Sequence, residues 1–128
     1  MTGGKRIDRP GNFIQPTVFT DCTHEMKIVQ EEIFGPVLSV MKFSDVDEVI
    51  AKANDTKYGL VGAVFSESQK TCNKVARELQ IGKISINNYF MIGVDSPFGG
   101  FKQSGIGREM GRGVENYLEA KTIIYDCS

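Results

Sequence analysis

The sequence has few residues of the kinds that mark a disulfide framework, a metal site or a hydrolytic triad. It contains three cysteines, Cys22, Cys72 and Cys127, and one histidine, His24. An odd number of widely spaced cysteines without a CxxC pair argues against disulfides and against a cysteine-based zinc site. A single histidine in the polar stretch 21–25 cannot build a Ser-His-Asp set, and we expect it to face solvent. No metal site and no triad hydrolase are therefore predicted.

An excess of one charge and long apolar runs are also missing. The chain has 15 basic and 16 acidic residues, a formal net charge of −1, which gives no basic surface for a nucleic acid. The longest apolar runs span only a few residues, well short of the roughly 20 that cross a membrane. The first six residues lack the apolar core of a signal peptide. We expect a cytoplasmic protein without a nucleic-acid or membrane partner.

What the sequence does contain is a regular alternation of β-rich and amphipathic runs. Residues 37–43 are nearly all apolar, as in a strand covered on both faces, and residues 61–65 and 83–87 are shorter β-rich runs. Short connections and right-handed crossovers predict an α/β fold with a parallel βαβαβ core and flanking helices. Two apolar helix faces are predicted between the strands, Val46, Val49, Ile50 and Ala53 in the first and Cys72, Val75, Ala76 and Leu79 in the second.

The ends of the two predicted helices carry capping signals. Ser44 and Asp45 precede the first helix, and an acidic residue stands three positions after each. Ser66 with Gln69 offers a second capping box of the same kind. Gly82 is predicted to stop the second helix.

The C-terminal part has no clear periodicity until residue 108. Residues 89–107 are glycine-rich and leave the carboxyl end of a predicted parallel strand, where open α/β sheets place ligands. Neither a GxGxxG fingerprint nor a P-loop is present, because Met110 replaces the third glycine and Ile106 the P-loop lysine. A final helix is predicted over 108–120, followed by a β-rich tail. The expected divisions are an extended lead-in at 1–15, an α/β unit at 16–121 and a β tail at 122–128.

One short motif suggests contact with a sugar. Glu31 and Glu32 precede Phe34 and a Gly-Pro turn, directly before the first predicted strand. A carboxylate accepts hydrogen bonds from paired sugar hydroxyls, and an adjacent aromatic packs on a flat ring. The alternative is a charged turn before a strand, and the residues alone favour that alternative.

Several linked motifs are distributed over nearly the whole chain. They are Pro16-Thr17-Val18-Phe19, Glu31-Glu32-Ile33-Phe34-Gly35-Pro36-Val37, Ala53-Asn54-Asp55, Tyr58-Gly59-Leu60, Ile86-Asn87-Asn88, and Ser96-Pro97-Phe98-Gly99-Gly100-Phe101-Lys102-Gln103-Ser104-Gly105-Ile106-Gly107-Arg108-Glu109. In order and spacing these motifs resemble the C-terminal part of the aldehyde dehydrogenase superfamily. The segment Ile86-Asn87-Asn88-Tyr89 is most similar to the betaine- and aminoaldehyde-type branch.

The resemblance implies roles for individual residues. Glu32 matches the residue that hydrogen-bonds the nicotinamide-side ribose, and Phe34 matches the aromatic beside that ribose. Phe98 matches an aromatic lining the aldehyde-entry tunnel. The loop 89–96 corresponds to a region that shapes substrate preference, and residues 123–125 to a segment near the oligomerisation region.

The resemblance also implies what this chain does not carry. The cysteine nucleophile, the glutamate base, the oxyanion asparagine and the dinucleotide-binding domain of such enzymes all lie upstream, so no catalytic residue is expected here. The full enzyme would use NAD or NADP to oxidise a small aldehyde to a carboxylic acid, as a homodimer or homotetramer. The isolated chain is expected to be inactive. The alternatives are a stand-alone oligomerising α/β module without activity and a small nucleotide-binding protein.

Overall fold

The computed structural model of the chain describes residues 2–89, 91 and 93–128. The backbone groups into two compact units, Met1–Ala53 and Asn54–Ser128. Each unit contains one pair of parallel strands whose connection includes a helix. The predicted α/β class and the parallel strand pairing are therefore confirmed.

The first unit is built on strands β1 (Thr17–Phe19) and β2 (Val37–Ser39), with helix α1 (Lys27–Gln30) between them. The strands pair in parallel, with Thr17 opposite Val37 and Phe19 opposite Ser39. Thr17 is the buried polar residue of this unit, at 3% exposure. Its hydroxyl accepts a hydrogen bond from the Gly4 N–H at 2.7 Å, which ties the extended first residues to β1.

Helix α2 (Val46–Asn54) begins with the capping pattern that the sequence predicts. The Asp45 carboxylate accepts from the Glu48 N–H at 2.8 Å, and the Glu48 carboxylate accepts from the Ser44 N–H at 2.7 Å. Lys52, one turn later, donates to Glu48. The hydrogen bonds from Lys52 and then Ser44 lower the pKa of Glu48 to about 2. Of the predicted apolar face, Ile50 is buried.

The second unit contains strand β3 (Val61–Val64), helix α3 (Gln69–Glu78) and strand β4 (Lys83–Ile86). The two strands pair in parallel over their full length. Cys72 is fully buried and Val75 is 8% exposed, so the predicted apolar face of α3 is confirmed. Cys72 is thus a small core residue, as its position in the helical pattern predicts.

The predicted N-cap of α3 is wrong by two positions. The cap is Ser68, whose hydroxyl accepts from the Thr71 N–H at 3.2 Å. Ser66, the predicted cap, instead accepts from the Ser68 N–H at 3.1 Å and holds the turn before the helix. The capping-box pattern marks Ser66, because Gln69 stands three positions later, whereas Ser68 is followed at that spacing by Thr71.

Gly82 does not end α3, because the helix stops at Glu78 and the following residue is already extended. Its small size is required by a close backbone contact instead. A Cβ built on Gly82 would lie 1.7 Å from the Gly99 carbonyl oxygen. The glycine therefore lets β4 start directly against the glycine-rich loop.

The single parallel sheet predicted from the βαβαβ pattern is also wrong. Among the described residues, β2 pairs with β1 and β3 pairs with β4, in two separate two-stranded sheets. The edge of β2 is occupied by β1, a three-residue strand too short to give a periodic signal. The predicted strand 37–43 also ends early, at Ser39, although the Val40 N–H still continues the ladder by donating to the Phe19 carbonyl at 2.9 Å.

The final helix predicted over 108–120 does not form. Glu109 is paired with Phe98, and Met110 and Gly111 have φ of 58° and 52°, which interrupts a right-handed helix. Only a five-residue 3₁₀ helix, Gly113–Tyr117, remains. The tail 122–128 forms no strand with any described residue. No helix in the described part of the chain is long and apolar enough to cross a membrane.

Candidate functional site

The Glu32–Phe34 segment lies in a tight turn immediately before β2. The Gly35 N–H donates to the Ile33 carbonyl at 2.9 Å, and the Val37 N–H donates to the Gly35 carbonyl at 2.8 Å. The Thr17 N–H donates to the Pro36 carbonyl at 2.8 Å, which fixes the end of the turn to β1. The turn is thus held by backbone hydrogen bonds and does not depend on hydrogen bonds from the Glu32 side chain.

Both side chains proposed to meet a cofactor are open to solvent. Phe34 is 94% exposed, and Glu32 is exposed as well. The Glu32 carboxylate makes no hydrogen bond or ion pair with any other residue that the structure describes, whereas the neighbouring Glu31 lies 3.6 Å from Lys27. A solvent-exposed carboxylate two residues from a solvent-exposed aromatic ring can accept hydrogen bonds from the two hydroxyls of a diol while the ring packs beside the sugar. These residues therefore fit a ribose-bearing ligand.

The loop that follows β4 begins with apolar side chains on the surface of the second unit. Tyr89, Met91 and Val94 are 79%, 66% and 78% exposed. Phe90 and Ile92, which belong to the same predicted apolar lining, lie outside the described residues. Exposed apolar side chains at the carboxyl end of a parallel strand suit a surface that binds an organic substrate.

Phe98 lies at the end of that loop in a small hairpin. It pairs with Glu109 through two backbone hydrogen bonds of 2.8 and 2.7 Å. The Arg108 guanidinium donates to the carbonyls of Gly100 and Gly107, at 3.0 and 2.7 Å, and holds the two arms together. Phe98 is half-buried, so part of its ring remains available.

A cleft of about 580 Å³ opens beside Phe98 in the second unit. This volume is in the range of small-molecule sites, roughly 300–1,000 Å³. The lining combines backbone of the glycine-rich loop with a few larger side chains, which are Leu60, Phe98, Ile106, Arg108, Glu109, Asn116 and Tyr117. Glu32 and Phe34 belong to the first unit, and Phe98 belongs to the second.

The base of the glycine-rich loop is held by Gly59, a residue that periodicity does not single out. The Gly59 carbonyl accepts from the N–H groups of Gly82 and Phe101, at 3.0 and 2.8 Å. Its own N–H donates to the Ser104 hydroxyl at 2.8 Å. A Cβ on Gly59 would lie 2.6 Å from the Gln80 carbonyl oxygen. Gly59 thus positions the loop that carries Phe98.

Asn54 has a similar role, which its sequence neighbourhood does not reveal. Its side-chain amide donates to the Glu78 carbonyl at 2.9 Å and accepts from the Gln80 N–H at 2.8 Å. Lys102 then donates to the Asn54 carbonyl at 2.5 Å. These contacts span 24 to 48 residues of sequence, and the motif resemblance is the one signal that marks them.

The remaining groups with reactive chemistry are scattered. Cys22 and Cys72 are buried free thiols, and Cys127 is an exposed one. The prediction that His24 faces solvent is wrong, because its ring is half-buried with Nε2 2.9 Å from the Gln30 amide nitrogen. Within residues 2–89, 91 and 93–128, no cluster of three or more His, Cys, Asp or Glu could hold a metal ion.

Comparison with known proteins agrees with this description. Residues 1–123 match the model of the aldehyde dehydrogenase family. An aldehyde dehydrogenase of Emericella nidulans is 54% identical over 125 residues, 97% of this chain and 25% of the relative. A betaine aldehyde dehydrogenase of Bacillus subtilis is 50% identical over 127 residues, 95% of this chain and 26% of the relative.

Solved structures give the same result. The NAD⁺ complex of an aldehyde dehydrogenase from Bacillus cereus has a TM-score of 0.95 and 46% identity, covering 99% of this chain and 26% of that one. A betaine aldehyde dehydrogenase from Staphylococcus aureus in complex with NAD⁺ has a TM-score of 0.89 and 49% identity, covering 94% and 25%. The chain spans about a quarter of the length of these relatives, and it belongs to the aldehyde dehydrogenase family.

Proposed function

We propose that the chain supplies the C-terminal quarter of an NAD(P)-dependent aldehyde dehydrogenase that oxidises an aldehyde to a carboxylic acid. The order of the motifs from Glu31 to Glu109, which resembles the C-terminal part of the family, supports this position, and the coverage of about 25% of each relative supports a piece of a larger enzyme. The nucleophile and general base would come from the preceding part of the enzyme. We accordingly expect the 128 residues alone to be inactive, and they contribute binding and positioning.

Glu32 and Phe34 are the proposed cofactor contacts. The single observation that carries this is their joint exposure, since the Glu32 carboxylate is uncommitted among the described residues and Phe34 is 94% exposed. NAD or NADP, when bound, accepts a hydride from the substrate. The chain's part is to orient the cofactor, with Glu32 accepting from ribose hydroxyls and Phe34 packing beside that sugar and excluding water. The similar structures from Bacillus cereus and Staphylococcus aureus are complexes with NAD⁺.

Phe98 and the loop 89–96 are the proposed substrate side. An aromatic ring that is fixed by its backbone pairing to Glu109, beside a cleft of about 580 Å³, suits the wall of a tunnel for a small aldehyde. The betaine aldehyde dehydrogenases among the relatives support an aldehyde of the betaine or aminoaldehyde type. That narrower substrate class follows from similarity in sequence.

The amount of exposed surface supports the view that other parts of a protein cover this chain. Its accessible surface is 10362 Å² at 14.2 kDa, whereas a compact monomer of that mass exposes about 6,800 Å². Two separate compact bodies of the size of its two units would together expose about 8,100 Å². The excess includes large apolar side chains such as Tyr117, Leu118 and Ile124, at 86%, 66% and 87% exposure. Such surface is normally buried against further chain.

The test of the cofactor role uses the full enzyme in which this chain is the C-terminal part, with Glu32→Gln and a matched control, Glu31→Gln. Losing a charged acceptor should raise the KM for the dinucleotide about tenfold, since a hydrogen bond to a charged group contributes roughly 1.5–3 kcal/mol. Glu31 already faces Lys27, and its variant should leave that KM within twofold. Equal effects of the two substitutions would refute the assignment.

The enzyme class is tested by the unsubstituted full enzyme. Formation of NADH or NADPH that depends on an added aldehyde is the expected result. The proposal fails if a folded enzyme reduces neither cofactor with aliphatic, aromatic or trimethylammonium aldehydes. Determining the reading frame upstream of Met1 tests the fragment assignment separately, because a nucleophile and a dinucleotide-binding domain should be encoded there in frame.

A stand-alone oligomerising α/β module is the second candidate, and the exposed tail favours it. Ile123, Ile124 and Tyr125 are all more than 60% exposed, and a strand-forming tail of this kind can pair with a second copy. A homodimer or homotetramer is expected for the enzyme as well, so a mass from light scattering does not distinguish the enzyme from the stand-alone module. Aldehyde-dependent turnover of the full enzyme distinguishes them. The cytoplasm is the proposed location, to be checked by cell fractionation.

A further inference from the structure

The carboxyl ends of β3 and β4 are joined by a side chain rather than by backbone alone. Asn87 follows the last residue of β4, and its N–H donates to the Val64 carbonyl at 2.8 Å, continuing the strand ladder. Its side-chain oxygen accepts from the Ser66 N–H at 2.8 Å, and its side-chain nitrogen donates to the Ser66 carbonyl at 3.0 Å. One amide thus satisfies both backbone groups of Ser66, as a further rung of the ladder would.

We propose that Asn87 is a positioning residue for Tyr89, acting through this amide bridge to set the substrate preference of the enzyme. The inference rests on the proposed function, because it assumes that the loop beginning at Tyr89 meets the aldehyde. Asn87 itself touches neither substrate nor cofactor in this assignment. Its effect is exerted through the direction in which the chain leaves β4.

The backbone of Asn87 explains why the bridge is needed at this point. Its φ is 49°, in the left-handed region, so the chain turns sharply out of the strand direction. Glycine and, among other residues, asparagine and aspartate adopt this conformation most readily. Glycine would make the turn without the bridge, and aspartate would accept from Ser66 but could not donate to its carbonyl. Asparagine alone of the three meets both requirements.

The bridge also connects the turn to the rigid part of the second unit. The Ser66 hydroxyl accepts from the Ser68 N–H at 3.1 Å, and the Ser68 hydroxyl caps α3 by accepting from the Thr71 N–H. A displacement of Asn87 is therefore resisted by helix α3 as well as by β3. The start of the loop is held to a fixed element, which is what a precise binding wall requires.

Tyr89 is the first large side chain after this turn and the one whose place depends on it most directly. It is 79% exposed, and its N–H donates to the Asn88 side-chain oxygen at 2.6 Å. Its ring borders a small cleft of about 260 Å³ over the β3–β4 pair, together with Val61 and Ser85. Only Asn88 lies between Asn87 and Tyr89, so we expect a change in the turn at Asn87 to move the Tyr89 side chain.

The experiment compares Asn87→Gly, Tyr89→Ala and the double variant in the full enzyme, with Asn73→Ala as control. Glycine keeps the turn, so the fold should persist while the bridge is lost. The measured quantity is the ratio of kcat/KM for a bulky aromatic aldehyde to that for acetaldehyde. We expect Asn87→Gly to change this ratio about tenfold, mainly through the aldehyde KM, with the KM for the dinucleotide within twofold. Asn73, exposed on α3 and bonded to Gln69, should change nothing.

The double variant decides whether Asn87 acts through Tyr89. If it does, the double variant should have the same preference ratio as Tyr89→Ala, because the bridge can no longer position a side chain that has been removed. Independent, multiplying effects would overturn the proposal, and so would a lowered Tm with an unchanged preference ratio in Asn87→Gly, which marks a merely structural role. An inactive parent enzyme would instead refute the proposed function. Amide hydrogen exchange at Ser66 should still be faster in Asn87→Gly, whatever the activity.

Discussion

Replacing Gly82 with alanine should destabilise the second unit strongly, although nothing in the local backbone forbids a side chain there. The position is not in the left-handed region, so alanine causes no strain in φ. The added Cβ would lie 1.7 Å from the Gly99 carbonyl oxygen, 2.8 Å from its carbon and 3.3 Å from the Gly100 Cα. All three contacts are with backbone atoms, which cannot rotate away as the end of a flexible side chain can.

The expected loss follows from three contributions. Relief of the contact requires a backbone shift of more than 1 Å, for which about 3 kcal/mol, the upper end of ordinary overpacking, is appropriate. The shift would break the hydrogen bond from the Gly82 N–H to the Gly59 carbonyl, 3.0 Å long, at a cost of about 1 kcal/mol. The smaller entropy of the unfolded alanine chain returns about 1 kcal/mol. The free energy of unfolding should therefore fall by about 3 kcal/mol.

Urea denaturation of the folded protein that carries this chain is the appropriate assay, with two alanine controls. At Gly113 a Cβ meets nothing within 4 Å, so its variant should be nearly neutral. At Gly62 the Cβ would lie 2.7 Å from the Ile81 Cδ1, the end of a flexible side chain, and the loss should be intermediate. A Gly82→Ala variant within about 1 kcal/mol of Gly113→Ala would refute the steric argument.

Two further predictions concern acid stability and thiol reactivity. The pKa of Glu48 is lowered to about 2 by the hydrogen bonds from Lys52 and Ser44, so its contribution is complete above 4.5, its ordinary value, and is lost as the pH falls towards 2. Glu48→Gln should therefore flatten the dependence of the urea midpoint on pH below 5, and an unchanged slope would contradict this. A thiol reagent should modify exposed Cys127 at once and fully buried Cys72 only as the fold opens, so rapid labelling of Cys72 in Cys127→Ser would be the contrary result.

The parts of the fold that the sequence predicts are those determined by contacts within a few residues. The first turn of α2 is an example. The Asp45 carboxylate accepts from the Glu48 N–H three residues later, and the Glu48 carboxylate accepts from the Ser44 N–H four residues earlier. The apolar face of α3 is another, because Cys72 and Val75 recur at helical spacing and are both buried. At both points the contacts that form the element join residues three or four positions apart, so a short sequence pattern is sufficient to predict it.

Elements whose partners lie far along the chain escape the same reasoning. β1 has three residues, and it becomes a strand because β2, some 20 residues later, pairs with it. The segment 108–120 has a helical pattern of apolar residues, yet Glu109 is held by Phe98 and the left-handed Gly111 follows. In both cases a tertiary pairing overrides the local preference. The candidate site divides in the same way, since the sequence predicts the Gly-Pro turn after Phe34 but not the hairpin in which Phe98 pairs with Glu109.

The residues that carry the family resemblance without an evident chemical role are explained by these long-range contacts. Asn54 bonds to Glu78 and Gln80, and Gly59 accepts from Gly82 and Phe101, all at hydrogen-bonding distance. Each is a position where one side chain, or the lack of one, allows two distant backbone segments to meet. A substitution there changes the placement of the glycine-rich loop rather than a reacting group. Motifs of this kind therefore report the geometry on which the placement of the glycine-rich loop depends.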